Sequence, residues 1–355
     1  MEKTALILAH FNVTPQRAED IFALFGSDEE FFGEFRSDKN AEKILGDRKY
    51  REICPAASED GFSRLKAFYR ASGTEVITEF DEDFPSELSE SGEAYALFAN
   101  GNKSLLKEKS FAVVGTRTIS GYGRQAAAFF GSGLSESGVI LVGSGSEGAE
   151  YSAISAAKSG GIVLCLPNGL GRLTNTQRTL ISGCENRLLL SLFAHSTPQM
   201  GYNFMINNRL IARLCCGMLL VEAQEGSGAV YTVECGMEFG KEVFALPGEI
   251  FSNQSAVPNR LIKELKAGPV TEISDILEKL NVKYKGVVGL SAKNLDGLSD
   301  AEKKIIEAIR AGAKRFNDMV EFTGMSVSEV AALLPIMELM DYVRKDGTGE
   351  YRVSV

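Results

Sequence analysis

Short apolar runs alternate with helical patterns throughout residues 110–280. Helical patterns fill most of the gaps between the runs, and several runs end in Gly or Pro. Strands that are apolar on both sides are typical of a parallel sheet covered by helices on both faces. The sequence therefore predicts an α/β fold with a Rossmann-like parallel sheet, in which ligands meet the loops after the strands. The runs are FAVVG, GVILVG, GIVLCLP, RLLLSLF, GMLLVE and EVFALPG.

The segment before this core follows a helical pattern. Residues 1–72 predict an N-terminal helical module of the SAM or helix-hairpin-helix kind, in which Thr14 is an N-cap and Pro15 the first helical residue. Residues 73–109 open with Gly, Pro and a cluster of carboxylates. We interpret them as a segment that connects the module to the core.

The segment after the core predicts a separate domain. Residues 110–280 form the core, residues 281–297 resemble a linker, and residues 298–355 predict three helices followed by a hairpin that turns at Asp346-Gly347. Three helices and a hairpin are the element order of a winged helix.

The net charge of −9 at pH 7 is unevenly distributed along the chain. Residues 1–100 carry 11 Lys and Arg against 21 Asp and Glu, whereas residues 101–280 carry 16 against 15 and residues 281–355 carry 11 of each. The acidity belongs to the N-terminal part, which we expect to avoid nucleic acid. The core can hold a local basic groove.

The six cysteines form no C-x-x-C pair, and only His10 and His195 could join them in a zinc site. We therefore expect reduced thiols and no metal. No apolar run approaches 18 residues, and the apolar stretch near the start lacks the length of a signal peptide. These observations predict a cytoplasmic protein without a membrane partner.

Three glycines in VILVGSGSEG have the spacing G-x-G-x-x-G. A dinucleotide fingerprint also needs an acid at the end of the next strand, but that run ends in Pro167-Asn168. An NAD site is therefore disfavoured, and no cofactor is expected. The strand-to-helix turn still presents backbone N–H groups to a phosphate, including one in a nucleic-acid strand. We predict that Gly143 and Gly145 contribute to such a site.

Other polar and glycine-rich segments are expected at the same edge of the sheet. An arginine there can form two parallel hydrogen bonds to a phosphate. Taken singly, each segment also fits a tight turn or a solvated helix face, and Phe204 fits a core position better than a base-stacking one. The hypothesis depends on three glycine loops that converge with an arginine. The candidate positions are Gly115, Thr116 and Arg117 after FAVVG, Ser227 and Gly228 in EGSGAVYT, and Asn207, Asn208 and Arg209 in NFMINNRLIA.

This series of motifs resembles the DNA-processing protein A family, DprA, also called Smf. The motifs occur in that family's order and at similar spacing over nearly the whole chain. They are GTEVITEFDEDFPSEL, LFANGNKSLL, FAVVGTRTISGYG, NFMINNRLIA, VEAQEGSGAVYT, GKEVFALPGEI and PNRLIKELKAG.

The resemblance implies a cytoplasmic homodimer that binds single-stranded DNA, has no catalytic residues, and loads the recombinase RecA during natural transformation. The family's Gly-Ser-Arg loop falls on residues 115–117, its Arg-Asn-Arg helix on 207–209 and its Ser-Gly loop on 227–228. The chain departs from the family at Glu147, where Arg is common, at Ile154, where His is usual, and at Asn207, which replaces the first Arg. Fewer cations predict weaker DNA binding.

Two other functions remain as alternatives. EGSGAVYTVE loosely resembles the P-G-G-x-G-T-x-x-E loop of Rossmann-like nucleoside monophosphate phosphoribohydrolases, with Glu234 as the nearest acid, but it lacks the proline and the spacing. A serine hydrolase is disfavoured because SGSEG lacks the first glycine of G-x-S-x-G.

A duplex-DNA regulator would read DNA through the winged helix, yet residues 327–340 contain Glu329 and Glu338 and no Lys or Arg. A protein-contact or dimer-support role suits that domain better.

Overall fold

The computed structural model describes residues 1–157, 160–283, 298–339, 342–345 and 349–353. The chain divides into two units, Met1–Lys285 and Gly286–Val355. The predicted helical module, connecting segment and core therefore belong to one unit. Most of the predicted linker and the predicted turn at Asp346-Gly347 lie outside the described residues.

Six helices precede the sheet. Helix α2 begins at Pro15 with Thr14 as its N-cap, as predicted. Phe25, Phe31 and Phe35 pack against one another between these helices, where they are almost completely buried. The helices are α1 (Glu2–His10), α2 (Pro15–Leu24), α3 (Asp28–Glu34), α4 (Lys39–Leu45), α5 (Asp47–Ile53) and α6 (Glu59–Ala71).

A nine-stranded sheet forms the centre of the first unit, in the order β1-β2-β6-β5-β4-β3-β7-β8-β9. All neighbouring strands from β6 to β9 are parallel, which confirms the prediction for the core. Strand β2 is antiparallel to both β1 and β6. The strands are β1 (Glu75–Thr78), β2 (Ala96–Gly101), β3 (Ser110–Val114), β4 (Ile140–Gly143), β5 (Ile162–Leu166), β6 (Arg187–Ser191), β7 (Gly217–Leu220), β8 (Glu242–Ala245) and β9 (Gly268–Pro269).

The connecting segment thus contributes two strands to the sheet, which the sequence did not predict. Strand β1 lies at the outer edge and carries the exposed Glu75, so it lacks the apolar run of a central strand.

Helices cover both faces of the sheet. Phe111 and Val113 of β3 join the core on one face, and Ala112 and Val114 join the core on the other, because strand side chains alternate between faces. Helices α8, α9, α10 and α14 lie with the N-terminal helices on the first face, and α7, α11, α12 and α13 on the second. Their bounds are α7 (Ser86–Ser89), α8 (Gly121–Glu136), α9 (Ala149–Ala156), α10 (Asn175–Ser182), α11 (Gly201–Leu214), α12 (Gly228–Glu238), α13 (Ala256–Lys263) and α14 (Ile273–Lys279).

The strand order reverses between β3 and β7. The chain continues from β3 to β4, β5 and β6 on one side, and then crosses to β7 and β8 on the other. The loops after β3 and β7 meet at this point, where the Thr116 backbone N–H donates to the Glu222 carbonyl at 2.7 Å. In open α/β sheets a ligand crevice forms at such a reversal.

The second unit has the predicted order of three helices and two antiparallel strands. Ile305, Met319 and Leu334 lie in its core. The elements are α15 (Asp300–Arg310), α16 (Phe316–Thr323), α17 (Val327–Leu339), β10 (Val343–Lys345) and β11 (Tyr351–Val353). Within the described ranges no single helix has the length and apolar composition to cross a membrane; Phe316–Thr323 and Val327–Glu338 reach that length only together, across a 117° bend.

Candidate nucleic-acid interface

Arg117 stands on the loop after β3, at the reversal of the strand order. Its side chain is exposed, and its guanidinium lies 5.0 Å from the ring centre of Phe204 on α11. In the part of the chain that the structure describes, no carboxylate lies within ion-pair distance of Arg117. The guanidinium is therefore accessible to an anion from solvent, and its contact with DNA stays a prediction.

The buried Glu222 holds this loop in place. Its carboxylate accepts hydrogen bonds from the Ser120 N–H, at 2.9 Å, and from the Ser120 hydroxyl. The hydroxyl oxygen of Ser120 in turn accepts from the Gly123 N–H at 3.0 Å. A Cβ at Gly123 would lie 2.5 Å from the Glu222 carboxyl carbon, so this position requires glycine. Two amides at the start of α8 are thus already satisfied within the protein.

The glycine loop after β4 differs from the expectation. The Ser144 N–H donates to the Glu150 carboxylate at 2.8 Å, and the Ser146 N–H donates to it at 3.4 Å. Gly143 and Gly145 are themselves buried. The amides that the sequence predicted to face a phosphate therefore bind a carboxylate of the protein, because Glu150 in the first turn of α9 folds back over the loop. A role for Gly143 and Gly145 in DNA binding stays a prediction.

Glu150 is a destabilised anion. Burial raises the pKa of the Glu150 carboxyl above its usual range, against the opposing effects of hydrogen bonds from Ser144 and the charge of Arg117. The Ser144 hydroxyl also donates to Glu150, at 2.7 Å. The exposed Glu147 accepts a hydrogen bond from the Thr176 hydroxyl at 3.3 Å. Two carboxylates therefore lie at this loop, and one of them, Glu147, stands where the resemblance implies an Arg.

The three predicted residues on α11 lie in different surroundings. Asn207 is 1% exposed, and its amide donates to the Cys165 carbonyl at 2.8 Å. Asn208 is half-buried, and its amide lies 3.4 Å from the Gly228 carbonyl. The structure thus brings Asn208 to the loop that contains Gly228, and it directs Asn207 into the protein.

Arg209 belongs to a charged cluster away from Arg117. It donates to Glu238 at 3.1 Å and to Glu93, which also accepts from Arg213 at 3.1 Å. The hydrogen bonds that Arg209 donates to Glu238 and Glu93 raise the pKa of its guanidinium. Burial alone would raise the pKa of Glu93, but hydrogen bonds from the two arginines outweigh it and lower that pKa. Contact of Arg209 with DNA stays a prediction, and it requires exchange of these partners.

Helix α12 begins with Ser227 as its N-cap. The Ser227 hydroxyl oxygen is buried and has no hydrogen-bond partner among the described residues. Gly226 has a positive φ of 76°, so the chain turns sharply just before the helix. The Ser227 hydroxyl at the start of α12 thus has no hydrogen-bond partner among the described residues, and it lies on the loop that Asn208 contacts. A role of this loop in DNA binding stays a prediction.

Three features of this edge were missed or undervalued in the sequence. Phe204 supports Arg117 instead of lying entirely in the core. The Gln254 side-chain amide donates to the Thr118 carbonyl at 2.8 Å, and the Gln254 backbone carbonyl accepts from the Ala223 N–H at 2.8 Å, so one residue joins three loops. The segment GEIF after β8 exposes Ile250 and Phe251. Only the last feature has a sequence signal, which is an apolar pair one residue after the Pro-Gly that follows β8.

Over the described ranges, no group of three or more His, Cys, Asp or Glu side chains has the arrangement of a metal site. The six cysteines are free thiols. Glu234, the acid of the phosphoribohydrolase alternative, is exposed on α12.

The fold and this edge define a Rossmann-like α/β protein whose cationic loop lies at the reversal of a parallel sheet. Residues 75–281 match the model of the family described as DNA recombination-mediator protein A. This chain belongs to that family, which is one of DNA-binding recombination mediators and not of enzymes.

Individual relatives agree with the family assignment. Protein Smf of Escherichia coli is 35% identical over 207 residues, which span 56% of this chain and 55% of that protein. DNA processing protein DprA of Streptococcus pneumoniae is 30% identical over 254 residues, 69% of this chain and 89% of the relative. The matched region is thus only about half the length of the Escherichia coli protein.

Solved structures agree as well. The X-ray structure of DprA from Streptococcus pneumoniae superposes with a TM-score of 0.64 at 26% identity, covering 77% of this chain and 95% of that chain. The protein from Helicobacter pylori, whose structure is described as showing a single-stranded DNA binding mode, has a TM-score of 0.52 at 21% identity and covers 59% of this chain and 95% of its own. The second likeness concerns the fold alone.

Proposed function

We propose that this protein binds single-stranded DNA at the edge of the sheet that carries Arg117. The observation that carries the proposal is the exposed guanidinium of Arg117 over the ring of Phe204, at the edge of the sheet where the loops after β3 and β7 meet. Membership of a recombination-mediator family supports the same function.

The chemistry of the pair suits an unpaired strand. A guanidinium binds a phosphate through two parallel hydrogen bonds, and an aromatic ring offers a face on which a base can stack. The bases of a duplex are already stacked on one another, so their faces are not available to Phe204. The two carboxylates on the glycine loop oppose phosphate binding, and we therefore expect modest affinity with a shallow salt dependence.

Fluorescence anisotropy with a labelled oligothymidine tests this function. Wild type should bind at low salt, and Arg117→Ala should weaken binding and reduce the slope of log K against log salt by about 0.7, the value for one phosphate on a single strand. The matched control is Arg64→Ala, because Arg64 is an exposed arginine on the N-terminal helix α6. Equal binding by wild type and Arg117→Ala would count against the proposed site.

The oligomeric state, the cellular location and the protein partner are proposed from the family resemblance. We propose that the protein acts as a homodimer in the cytoplasm and loads RecA onto single strands during natural transformation. Sedimentation velocity tests the dimer. Strand exchange by RecA on DNA coated with single-strand-binding protein tests the loading, and the absence of any acceleration would contradict it.

The C-terminal unit has the element order of a winged helix, and we assign to it a protein-contact or dimer-support role. Helix α17 contains Glu329 and Glu338 and no Lys or Arg, which is a poor match for the phosphates that line a major groove. Loss of self-association after deletion of residues 298–355 would support this role, whereas loss of duplex binding would contradict it.

A further inference from the structure

A tight turn after β8 presents two large apolar side chains to solvent. The Ser252 N–H donates to the Glu249 carbonyl at 3.1 Å and closes the turn, with Ile250 and Phe251 at its tip. Phe251 is 94% exposed and Ile250 is 82% exposed. Neither side chain stabilises the fold, since almost none of its surface is buried.

Hydrogen bonds hold the base of this turn on both sides. The Asn259 amide donates to the Gly248 carbonyl at 3.0 Å, and the Gly248 N–H donates back to the Asn259 side-chain oxygen at 3.1 Å. After the turn, Gln254 is tied to Thr118 at 2.8 Å. The exposure of Phe251 is therefore a feature of a supported turn.

The same hydrogen bonds place the turn beside the loop that carries Arg117. Thr118, which accepts from Gln254, is next to Arg117 in the chain. On the other side of the turn, the Tyr122 hydroxyl donates to the Pro247 carbonyl at 2.8 Å, and the Tyr122 ring is about half-exposed. Both ends of the turn are therefore fastened to the segment 117–122, which carries Arg117 and the half-exposed Tyr122 ring.

The geometry points to a second base-stacking surface, formed by Tyr122, Ile250 and Phe251, that takes unpaired bases of the strand whose phosphate Arg117 binds. This inference rests on the proposed function. Stacking on an aromatic ring needs no hydrogen bonds to the base edges, so the surface would accept any base.

The size of the surface favours a base over a second protein. A buried aromatic side chain covers about 150–250 Å², whereas a stable protein interface takes about 800 Å² from each partner. The exposed surface of Ile250 and Phe251 is too small to form such an interface by itself, and it is large enough to contact one or two bases. The turn is also tied by hydrogen bonds to the loop that carries the exposed Arg117, which likewise favours a base as the ligand.

The absence of tryptophan from the sequence allows a direct test. Phe251→Trp introduces a single tryptophan at the turn, and its fluorescence should be quenched when an unlabelled oligothymidine stacks on it. The matched control is Phe80→Trp, because Phe80 is about half-exposed and follows β1 at the opposite end of the sheet. Equal quenching of the two variants, or none in Phe251→Trp, would overturn the inference.

Affinity measurements separate this surface from the Arg117 site. Phe251→Ala should weaken oligothymidine binding about fivefold or more, the lower end of the range for a stacking aromatic, while the salt slope stays that of wild type. Phe251→Tyr should retain wild-type affinity. If Arg117→Ala weakens binding and Phe251→Ala does not, the inference fails and the proposed function stands.

The two remaining outcomes are also decisive. If wild type binds no oligonucleotide at low salt, the proposed function fails first and the stacking surface fails with it. If Phe251→Ala changes the sedimentation coefficient and leaves oligonucleotide affinity unchanged, the turn is a contact between copies of the chain, and the inference is wrong.

Discussion

The guanidinium of Arg117 lies over the ring of Phe204, with 5.0 Å between its central carbon and the ring centre. The two residues come from the loop after β3 and from α11, which are 87 positions apart in the sequence. The ring restricts the orientation of the arginine before any ligand arrives, so less side-chain freedom is lost on binding. This pair is the basis of the first prediction.

Replacement of Phe204 by leucine should separate the role of the ring from that of the charge. Phe204→Leu keeps an apolar side chain, so the fold should persist, and oligothymidine binding should weaken about two- to fivefold through the loss of a cation–π contact. The salt slope should not change, because Arg117 is still present. Anisotropy titrations at several salt concentrations measure both quantities. Phe68→Leu, at a half-exposed phenylalanine of α6, is the control, and a reduced salt slope in Phe204→Leu would contradict the prediction.

Replacement of Glu150 by glutamine should strengthen DNA binding. The carboxylate occupies two amides of the glycine loop and lies near Arg117, so its neutralisation should raise affinity about two- to fivefold at pH 7.5. Since the pKa of Glu150 is raised, the wild-type protein should gain affinity as the pH falls from 7.5 towards 5. Glu150→Gln should lose this part of the pH dependence. Anisotropy titrations over that pH range provide the measurement.

The free energy of unfolding of the wild-type protein should also increase as the pH falls. A carboxyl whose pKa is higher in the folded state takes up its proton at a higher pH there than in the unfolded chain, so the free energy of unfolding falls as the pH rises through the folded pKa. Glu150→Gln removes that decrease. Glu136→Gln, an exposed glutamate in the last turn of α8, should leave affinity unchanged. Identical pH profiles for wild type and Glu150→Gln would contradict the assignment.

Neighbouring asparagines on α11 should differ in their effect on stability. Asn207→Ala removes a buried hydrogen bond and leaves the Cys165 carbonyl without its donor, which should cost about 1–3 kcal/mol of unfolding free energy. Asn208→Ala removes a longer and more exposed contact, so it should cost less than about 0.5 kcal/mol. Urea denaturation measures both values. Equal destabilisation by the two substitutions would show that the burial of Asn207 has no energetic weight.

The pairing of Glu93 should make stability depend on acid pH. Its pKa is lowered in the folded protein, so its contribution is present above the unfolded pKa and is lost as the pH falls through the folded pKa. Glu93→Gln should cost roughly 1–3 kcal/mol at pH 7 by leaving Arg209 and Arg213 without this partner. The difference from wild type should shrink towards pH 3. Glu90→Gln, three residues away, is the control, and a difference independent of pH would contradict the pairing.

Sequence periodicity predicted the centre of the fold correctly. The six apolar runs became strands β3 to β8, and all of them are parallel, because strands that are apolar on both sides need helices on both faces. The predicted start of α2 at Pro15 was also correct. Strands β1 and β2 were missed because an edge strand and its antiparallel neighbour are defined by pairing with distant residues, as between Phe98 and Ser191.

The site divides in the same way. That Arg117 follows a strand end, and hence lies at the ligand edge of the sheet, was determined by the sequence alone. Only the tertiary structure decided that Arg117 stacks on Phe204, that Asn207 binds the Cys165 carbonyl, and that Glu150 occupies the amides of the glycine loop. A local sequence pattern shows only how buried and exposed positions alternate along one helix or strand. The partner of a polar side chain depends on which elements pack together, and that is fixed when the whole chain buries its apolar surface.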